Sequence, residues 1–551
     1  MESLRTSLLN GYSAVVILSR SFSHICLAAA VSLTCLSQAA AVEAPRLVEK
    51  DGRFTLFVEG RPYLILGGQI HNSSAWPSEL SQVWQSMASL HANTVEAPVY
   101  WEQIESQRGR FDFGNVDQMI DGARAHNLHV VLLWFGTWKN GNMQYAPQWV
   151  KTDAKRFPRM IRSDGEPIDV LSANSRSNLD ADKTAFTALI RHLKQIDSEL
   201  HTVLLIQVEN ESGGVGSVRD FSEEANREFA GAVPADLVTL THKQPGTWRD
   251  VFRGEADEIF QLYHQAKYIN EIAAAGKAEF NLPFYINVWL SYPAAELPQR
   301  QVPIPGIQYP SGGAVQKYVG LWRGLAPSID MIGPDIYSSD SGFYREVMDA
   351  YLRPDNPLWI PETGRGDDYG KFFFYALGKG AIGFSPFGVD QFELKADGEP
   401  PLKAHAHNYA LVGPMSREIA QLEFDGKLKT SVEEPGQAQQ ELEFGEWRAT
   451  VAFGFPQSDG RRPPGTKDAH GAALVAQLGP DEFLVTGVEA SVSFHLPGKL
   501  PDLRMQILSA EQGTYENGIW KPARLWNGDE VDRGLCFHER PEVVRVRLGR
   551  F

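Results

Sequence analysis

Between Asp51 and about residue 410, short apolar runs alternate with longer stretches whose apolar residues recur at three and four, the pattern of strand-helix units around a parallel sheet. The runs are LILGGQI (64–70), NTVEAPV (93–99), LHVVLLWF (128–135), TVLLIQVE (202–209), PFYINVWL (283–290), IDMIGPDIY (329–337), PLWIPE (357–362) and AIGFSPFG (381–388). DQMIDGARAHN (117–127) and FTALIRHLKQIDSEL (186–200) are examples of the helical material between them. Eight such units predict an α/β fold of the TIM (β/α)8 barrel type. A doubly wound open sheet is the alternative, but it usually carries fewer strands and a Gly-rich first turn, and GGQIHNSSAW contains no G-x-G-x-x-G.

Beyond about Leu411 the texture becomes short alternating strands and turns, which predicts a C-terminal all-β, sandwich-like domain. GAALVAQLGPDEFLVTG (471–487) reads as strand, turn, strand; Asn517-Gly518 and Asn527-Gly528 read as hairpins; VVRVRL (543–548) alternates cleanly. SDGRRPPGTKD (458–468) is expected to be an exposed loop. At the other end, Arg5 and Arg20 flank SFSHICLAAAVSLTCLSQAAAVEA, an apolar stretch ending in small residues, as in a secretory leader cut near Ala39 to Ala41. Cys26 and Cys35 fall inside it without the sequence pattern of a lipidation site, so lipid anchoring is the lesser reading. Expected divisions are therefore a signal peptide (1–41), a barrel (42–412) and a β-sandwich (413–551), in a secreted or periplasmic protein without a membrane span. Cys536 is the single cysteine after the leader, so stability must come from packing. A net charge of −16 disfavours nucleic acid and anionic membranes as partners.

Active sites of such barrels gather at the carboxyl ends of the strands. Run four ends in Glu209-Asn210-Glu211 and run seven in Glu362, which places two carboxylates from distant segments on one face. Cleavage of a glycosidic bond needs such a pair: one carboxyl protonates the leaving oxygen while the other attacks or stabilises the anomeric centre. A single strand-end acid is more simply a helix cap, favoured by about 0.3–1 kcal/mol. A pair at strands four and seven is not explained that way. In an extended strand Glu209 and Glu211 project to the same side, which would place Glu209 deeper in the barrel mouth, as a sugar-hydroxyl acceptor or as the partner of a basic group. Trp76, Trp101, Trp134, Trp138, Trp289 and Phe387 crowd the same rim. Trp138 and Trp289, at strand ends, are the expected sugar platforms, and His71 is a candidate for a hydroxyl contact. No metal site is expected: His405 and His407 are two apart on a helix, and Asp367-Asp368 lacks calcium-loop spacing, so both pairs read as solvated surface.

The strand-four Asn-Glu with a strand-seven Glu resembles the retaining TIM-barrel glycosidases of clan A. Within that clan, IQVENE is similar to the acid/base motif of glycoside hydrolase family 35, the β-galactosidases. NTVEAPVYWEQIESQRGRFDF (93–113) also follows that family's pattern. The resemblance implies that Glu211 is the general acid/base and Glu362 the nucleophile, that Tyr337 hydrogen-bonds the nucleophile, and that Asn210 contacts the hydroxyl beside the anomeric carbon. It also implies a carbohydrate substrate and no cofactor. The sequence departs from the family where LLWFGTWKNG (132–141) replaces an Arg-Pro-Gly-Pro-Tyr run, where Pro98 replaces a tyrosine, and where Tyr100-Trp101-Glu102 replaces Pro-Trp-Asn. The pattern is that of a divergent branch, in which the catalytic pair is kept and much of the sugar-reading shell differs. The implied function is retaining removal of a terminal β-linked sugar, β-galactose first. The alternatives are another clan A specificity, transglycosylation, or a non-catalytic carbohydrate-binding barrel.

Overall fold

The computed structural model describes residues 43–391, 402–453, 470–496, 504–538 and 540–551. The leader expected over 1–41 and the loop expected over 458–468 lie outside the described residues. Eight parallel strands close into a barrel: Ile65–Gln69, Thr94–Tyr100, His129–Lys139, Val203–Asn210, Phe284–Trp289, Met331–Ile336, Ile360–Thr363 and Gly383–Pro386. Each pairs with its neighbours in chain order, and the eighth closes on the first through Gly383 opposite Ile65 and Phe384 opposite Leu66. Glycine is required at this seam. A Cβ on Gly67 would lie 1.8 Å from Ser385 Oγ, and one on Gly383 would lie 2.4 Å from Ile65 Cβ.

The helices follow from their apolar spacing. Helix Arg176–Asp197 starts at Ser175, whose hydroxyl accepts the Asn178 amide at 3.3 Å, and buries Leu179, Phe186, Leu189, Ile190 and Leu193 against the barrel. Asp182 stands buried on that same face, an acid where spacing asks for an apolar residue.

Three antiparallel strands, Arg46–Lys50, Arg53–Val58 and Arg61–Tyr63, precede the barrel and were not expected. They bring Leu56 and Val58 into the core shared with the barrel. The C-terminal β region begins at Leu428, not at residue 413, because helix Ser416–Phe424 intervenes and packs on the first hairpin, with Arg417 donating to the Val58 carbonyl at 2.8 Å. Beyond it, a six-stranded and a four-stranded antiparallel sheet face each other across a core that includes Phe444, Trp447, Val451, Val475, Phe483 and Val492. Asn517-Gly518 makes the expected tight turn, with both φ positive as a type I′ turn needs. Asn527-Gly528 does not form a hairpin. It opens the short turn Gly528–Glu530, and the strands on either side, Ile519–Leu525 and Leu535–Phe537, belong to different sheets.

Strand Ala472–Gly479 joins the two halves. Ala473 and Val475 point into the sandwich core, while Ala472, Leu474 and Ala476 belong to the core that continues into the barrel. Thr430, on the neighbouring strand Leu428–Val432, donates to the carbonyl of Phe374 in barrel helix Gly370–Gly378 at 2.8 Å. Leu474→Ala is therefore expected to lower the unfolding free energy by about 2–5 kcal/mol. Urea denaturation followed by tryptophan fluorescence measures this; a loss below about 1 kcal/mol would mean that the seam is loosely packed.

Candidate active site

The carboxyl ends of the strands surround a pocket of about 420 Å³. Glu211 and Glu362 both line it, and with them Asp335 from the sixth strand. The three carboxyl groups offer oxygens that all lie within 4.8 Å of one another, and all three residues are buried.

Glu211 follows the end of the fourth strand in a left-handed conformation (φ 43°), and Glu209, inside the strand, is left-handed too (φ 64°). Non-glycine residues adopt this region at a cost, and such strain collects at functional sites. It breaks the extended geometry on which a same-side placement of the two acids depends. The amide of Glu211 donates to Asn287 Oδ1 of the fifth strand at 2.8 Å, whereas Glu209 Oε2 accepts the Trp138 amide of the third strand at 2.6 Å. The Glu209 carboxyl thus turns to the third strand and lies outside the pocket that Glu211 lines. Asn287 also donates from Nδ2 to Asp335 Oδ2 at 2.7 Å, so one amide ties Glu211 and Asp335 together.

Both oxygens of Glu362 are held. Gln69 Nε2, at the end of the first strand, donates to Oε2 at 2.8 Å, and the Tyr337 hydroxyl donates to Oε1. Tyr337 is itself braced by Tyr369, whose hydroxyl donates to its carbonyl, and by Tyr292, whose hydroxyl accepts its amide at 3.0 Å.

Charge is unevenly distributed over the three acids. Burial, then the negative charge of Glu362, push Glu211 up to about 7, against the opposing pull of the Lys139 ammonium and a hydrogen bond with Asp335. Asp335 is raised well above the carboxylate range by burial and then by Glu362 and Glu211. Burial and the Glu362 charge hold the Tyr337 hydroxyl far above its ordinary range, so it remains a donor. Among the described residues, Glu211, Asp335 and Glu362 form the one acidic group compact enough to hold a cation. N–H and O–H donors already contact both oxygens of Glu362 and one of Asp335, and the Lys139 ammonium acts on the same cluster.

Of the other residues singled out from the sequence, Tyr337, His71 and Trp289 line the pocket, as does Phe387, whose ring lies 5.7 Å from that of His71. Asn210 is fully buried just below Glu211; neither polar atom of its amide meets a partner among the described residues. Trp138 is no platform. It is fully buried, its ring 4.6 Å from that of Tyr268 and its indole N–H donating to the Leu171 carbonyl at 3.2 Å. Trp101 and Trp134 are likewise buried, each giving its indole N–H to an acid, Glu105 and Asp182. Trp76 is exposed and stacks on Tyr100 away from the pocket wall. His405 is buried, not solvated, and burial depresses its imidazole to about 4. Asp367 is exposed as expected and accepts the Ala404 amide at 3.0 Å.

Sequence reading missed Asp335, Lys139, Asn287 and Gln69. Asp335 had a signal, since it stands two residues before Tyr337 at the end of MIGPDIY. Lys139 was hidden because the third strand continues to residue 139, four beyond its apolar run. Past Tyr337, His71 and Phe387 the pocket opens into a second hollow of about 540 Å³, walled by Gly364, Arg365 and Tyr369 among others. No helix among the described residues is long and apolar enough to cross a membrane.

Residues 405–538 match a domain of unknown function (DUF5597), and residues 55–281 match glycosyl hydrolases family 35. A β-galactosidase of Xanthomonas manihotis is 32% identical over 164 residues, which cover 29% of this chain and 25% of that protein. The chain thus matches a quarter of the length of this curated relative. Among solved structures, a β-galactosidase from Bacillus circulans sp. alkalophilus aligns with TM-score 0.47 at 14% identity, over 65% of this chain and 57% of that one. An exo-β-1,4-mannosidase from Opitutaceae bacterium strain TAV5 aligns with TM-score 0.41 at 14% identity, over 69% and 62%. The resemblance to glycoside hydrolase family 35, carried in the sequence by IQVENE and by the segment 93–113, is thus shown over residues 55–281 of this chain.

Proposed function

We propose that this protein is a retaining β-glycosidase that releases a terminal β-linked sugar, galactose first, from oligo- or polysaccharides. The observation that carries the reading is the spacing of the acids. One oxygen of Glu211 lies within 4.8 Å of one oxygen of Glu362, which suits the separation of about 5–5.5 Å between the carboxyl groups of retaining enzymes better than the about 6.5–9.5 Å of inverting ones. Glu362, oriented by Gln69 and Tyr337, attacks the anomeric carbon while Glu211 gives its proton to the leaving oxygen. Forming the glycosyl ester removes the negative charge of Glu362, one of the causes that raise Glu211. Glu211 then holds its new position as a carboxylate more readily, accepts a proton from the incoming water, and returns to its starting state. The buried, unpartnered amide of Asn210 supports its assignment to the hydroxyl beside the anomeric carbon. Trp289 and Phe387 supply apolar faces for the ring. The choice of galactose rests on the likeness to the Xanthomonas manihotis protein, and a secreted or periplasmic location rests on the apolar leader.

The reading is tested on a panel of nitrophenyl β-glycosides. The β-galactoside should be hydrolysed, and proton NMR of the first product should show the β anomer; initial release of the α anomer would sink the double displacement. Glu211→Gln should lower kcat/KM by roughly 10²–10⁴, with a smaller loss on leaving groups that need no proton. Because the donor must be protonated and Glu211 sits at about 7, wild-type kcat/KM should fall above pH 7, and this alkaline limb should vanish in Glu211→Gln. Tyr337→Phe removes one donor to a carboxylate and should cost about tenfold to a hundredfold in kcat. An unchanged kcat would remove Tyr337 from the mechanism.

A further inference from the structure

We propose that Glu209 and Asp182, two acids buried outside the pocket, act as one proton-sharing pair that shapes the end of the third strand and so positions Lys139 beside Glu211. The inference rests on the reading of Glu211 as proton donor.

The third strand does not run regularly alongside the fourth. Trp134 pairs with Val208 and the next pair is Lys139 with Asn210, an advance of five residues against two. The surplus makes a wide bulge, and bulges beside active sites re-aim side chains. Backbone amides inside it cannot follow the ladder, and acids receive them instead. Asp182 Oδ2 accepts the Thr137 amide at 2.9 Å as well as the Thr137 hydroxyl, Asp182 Oδ1 accepts the Trp134 indole N–H at 2.9 Å, and Glu209 Oε2 accepts the Trp138 amide at 2.6 Å. The Tyr268 hydroxyl closes the network on Thr137 Oγ1 at 2.8 Å.

The remaining oxygen of Glu209 faces Asp182. A Cβ on Gly136, within the bulge, would lie 2.7 Å from Glu209 Oε1 and 2.9 Å from Asp182 Oδ2. Two fully buried carboxyl groups in such proximity cannot both be charged, and a proton between them removes the conflict. Burial, and then the charge of Asp182, accordingly push Glu209 well above the carboxylate range. The bulge they fix ends at Lys139, whose ammonium donates to Asn140 Oδ1 and lies 5.0 Å from the centre of the Phe135 ring. The groups that face Glu211 are Lys139 from the third strand, Asp335 from the sixth and Glu362 from the seventh, with the hydroxyls of Tyr292 and Tyr337. Lys139 is the cation among them. Its placement opposes the two acids and keeps the proton on Glu211 transferable near neutrality.

Glu209→Gln can still accept from Trp138 and donate to Asp182, so its alkaline limb should coincide with that of wild type. Glu209→Ala, and the milder Glu209→Asp, which draws the carboxyl back by one methylene while keeping the titratable group, should release the bulge and move the limb upward by about one pH unit. Lys139→Met should move it in the same direction, and the Glu209→Asp/Lys139→Met double variant should move it no further than Lys139→Met alone. A folded Glu209→Asp or Glu209→Ala protein with the wild-type limb would overturn the proposal, as would a Gln variant displaced as far as Ala. Glu211 can also be titrated directly by the infrared carbonyl band that is lost in Glu211→Gln. That measurement tests the positioning role even if wild type hydrolyses no β-glycoside, an outcome that would defeat the functional reading alone.

Discussion

Three buried carboxyl groups with oxygens within 4.8 Å of one another repel strongly when all are charged, and the arrangement of the barrel mouth answers that constraint. Each acid is treated differently. Glu362 receives donors on both oxygens, Asp335 meets Asn287 and Glu211, and the Glu211 side chain is tied to Asp335 alone. The side chain with the fewest fixed partners is therefore the one best able to pass a proton. Lys139 supplies the opposing charge, and the irregular end of the third strand exists to deliver it.

The barrel was legible because its strands are buried over nearly their whole length, so they read as mainly apolar runs; all eight lie where those runs fall. The pair Glu211 and Glu362 was legible for a related reason, since an acid that ends such a run has few structural explanations. What stayed hidden depends on local backbone geometry. Positive φ at Glu209 and Glu211 separates two acids that strand periodicity places together, and a bulge carries Lys139 beyond the apparent end of its strand. Trp138 shows the converse error. Its position at a strand end suggested a sugar platform, yet the bulge turns the ring inward onto Tyr268. The first hairpin was missed because its strands are short and precede the repeating pattern.

Asp182 and His405 illustrate a second limit. Each is a polar residue on a helix face that packs against the barrel, and neither position can be told from solvated surface without knowing what lies opposite. For Asp182 the answer is the displaced amide of Thr137 and the indole of Trp134, which is why an acid is tolerated amid Leu179, Phe186 and Leu189.

The two-faced strand Ala472–Gly479 has a bearing on how such a chain can vary. A module that shares only a linker with its neighbour can be lost or exchanged as a block. Here one face of the sheet packs on the barrel, so removing the C-terminal region would leave the barrel side chains that Leu474 and Ala476 cover exposed to water. Strand Ala472–Gly479 and barrel helix Gly370–Gly378 are thus constrained together: a residue that grows on one side of this seam needs one that shrinks on the other.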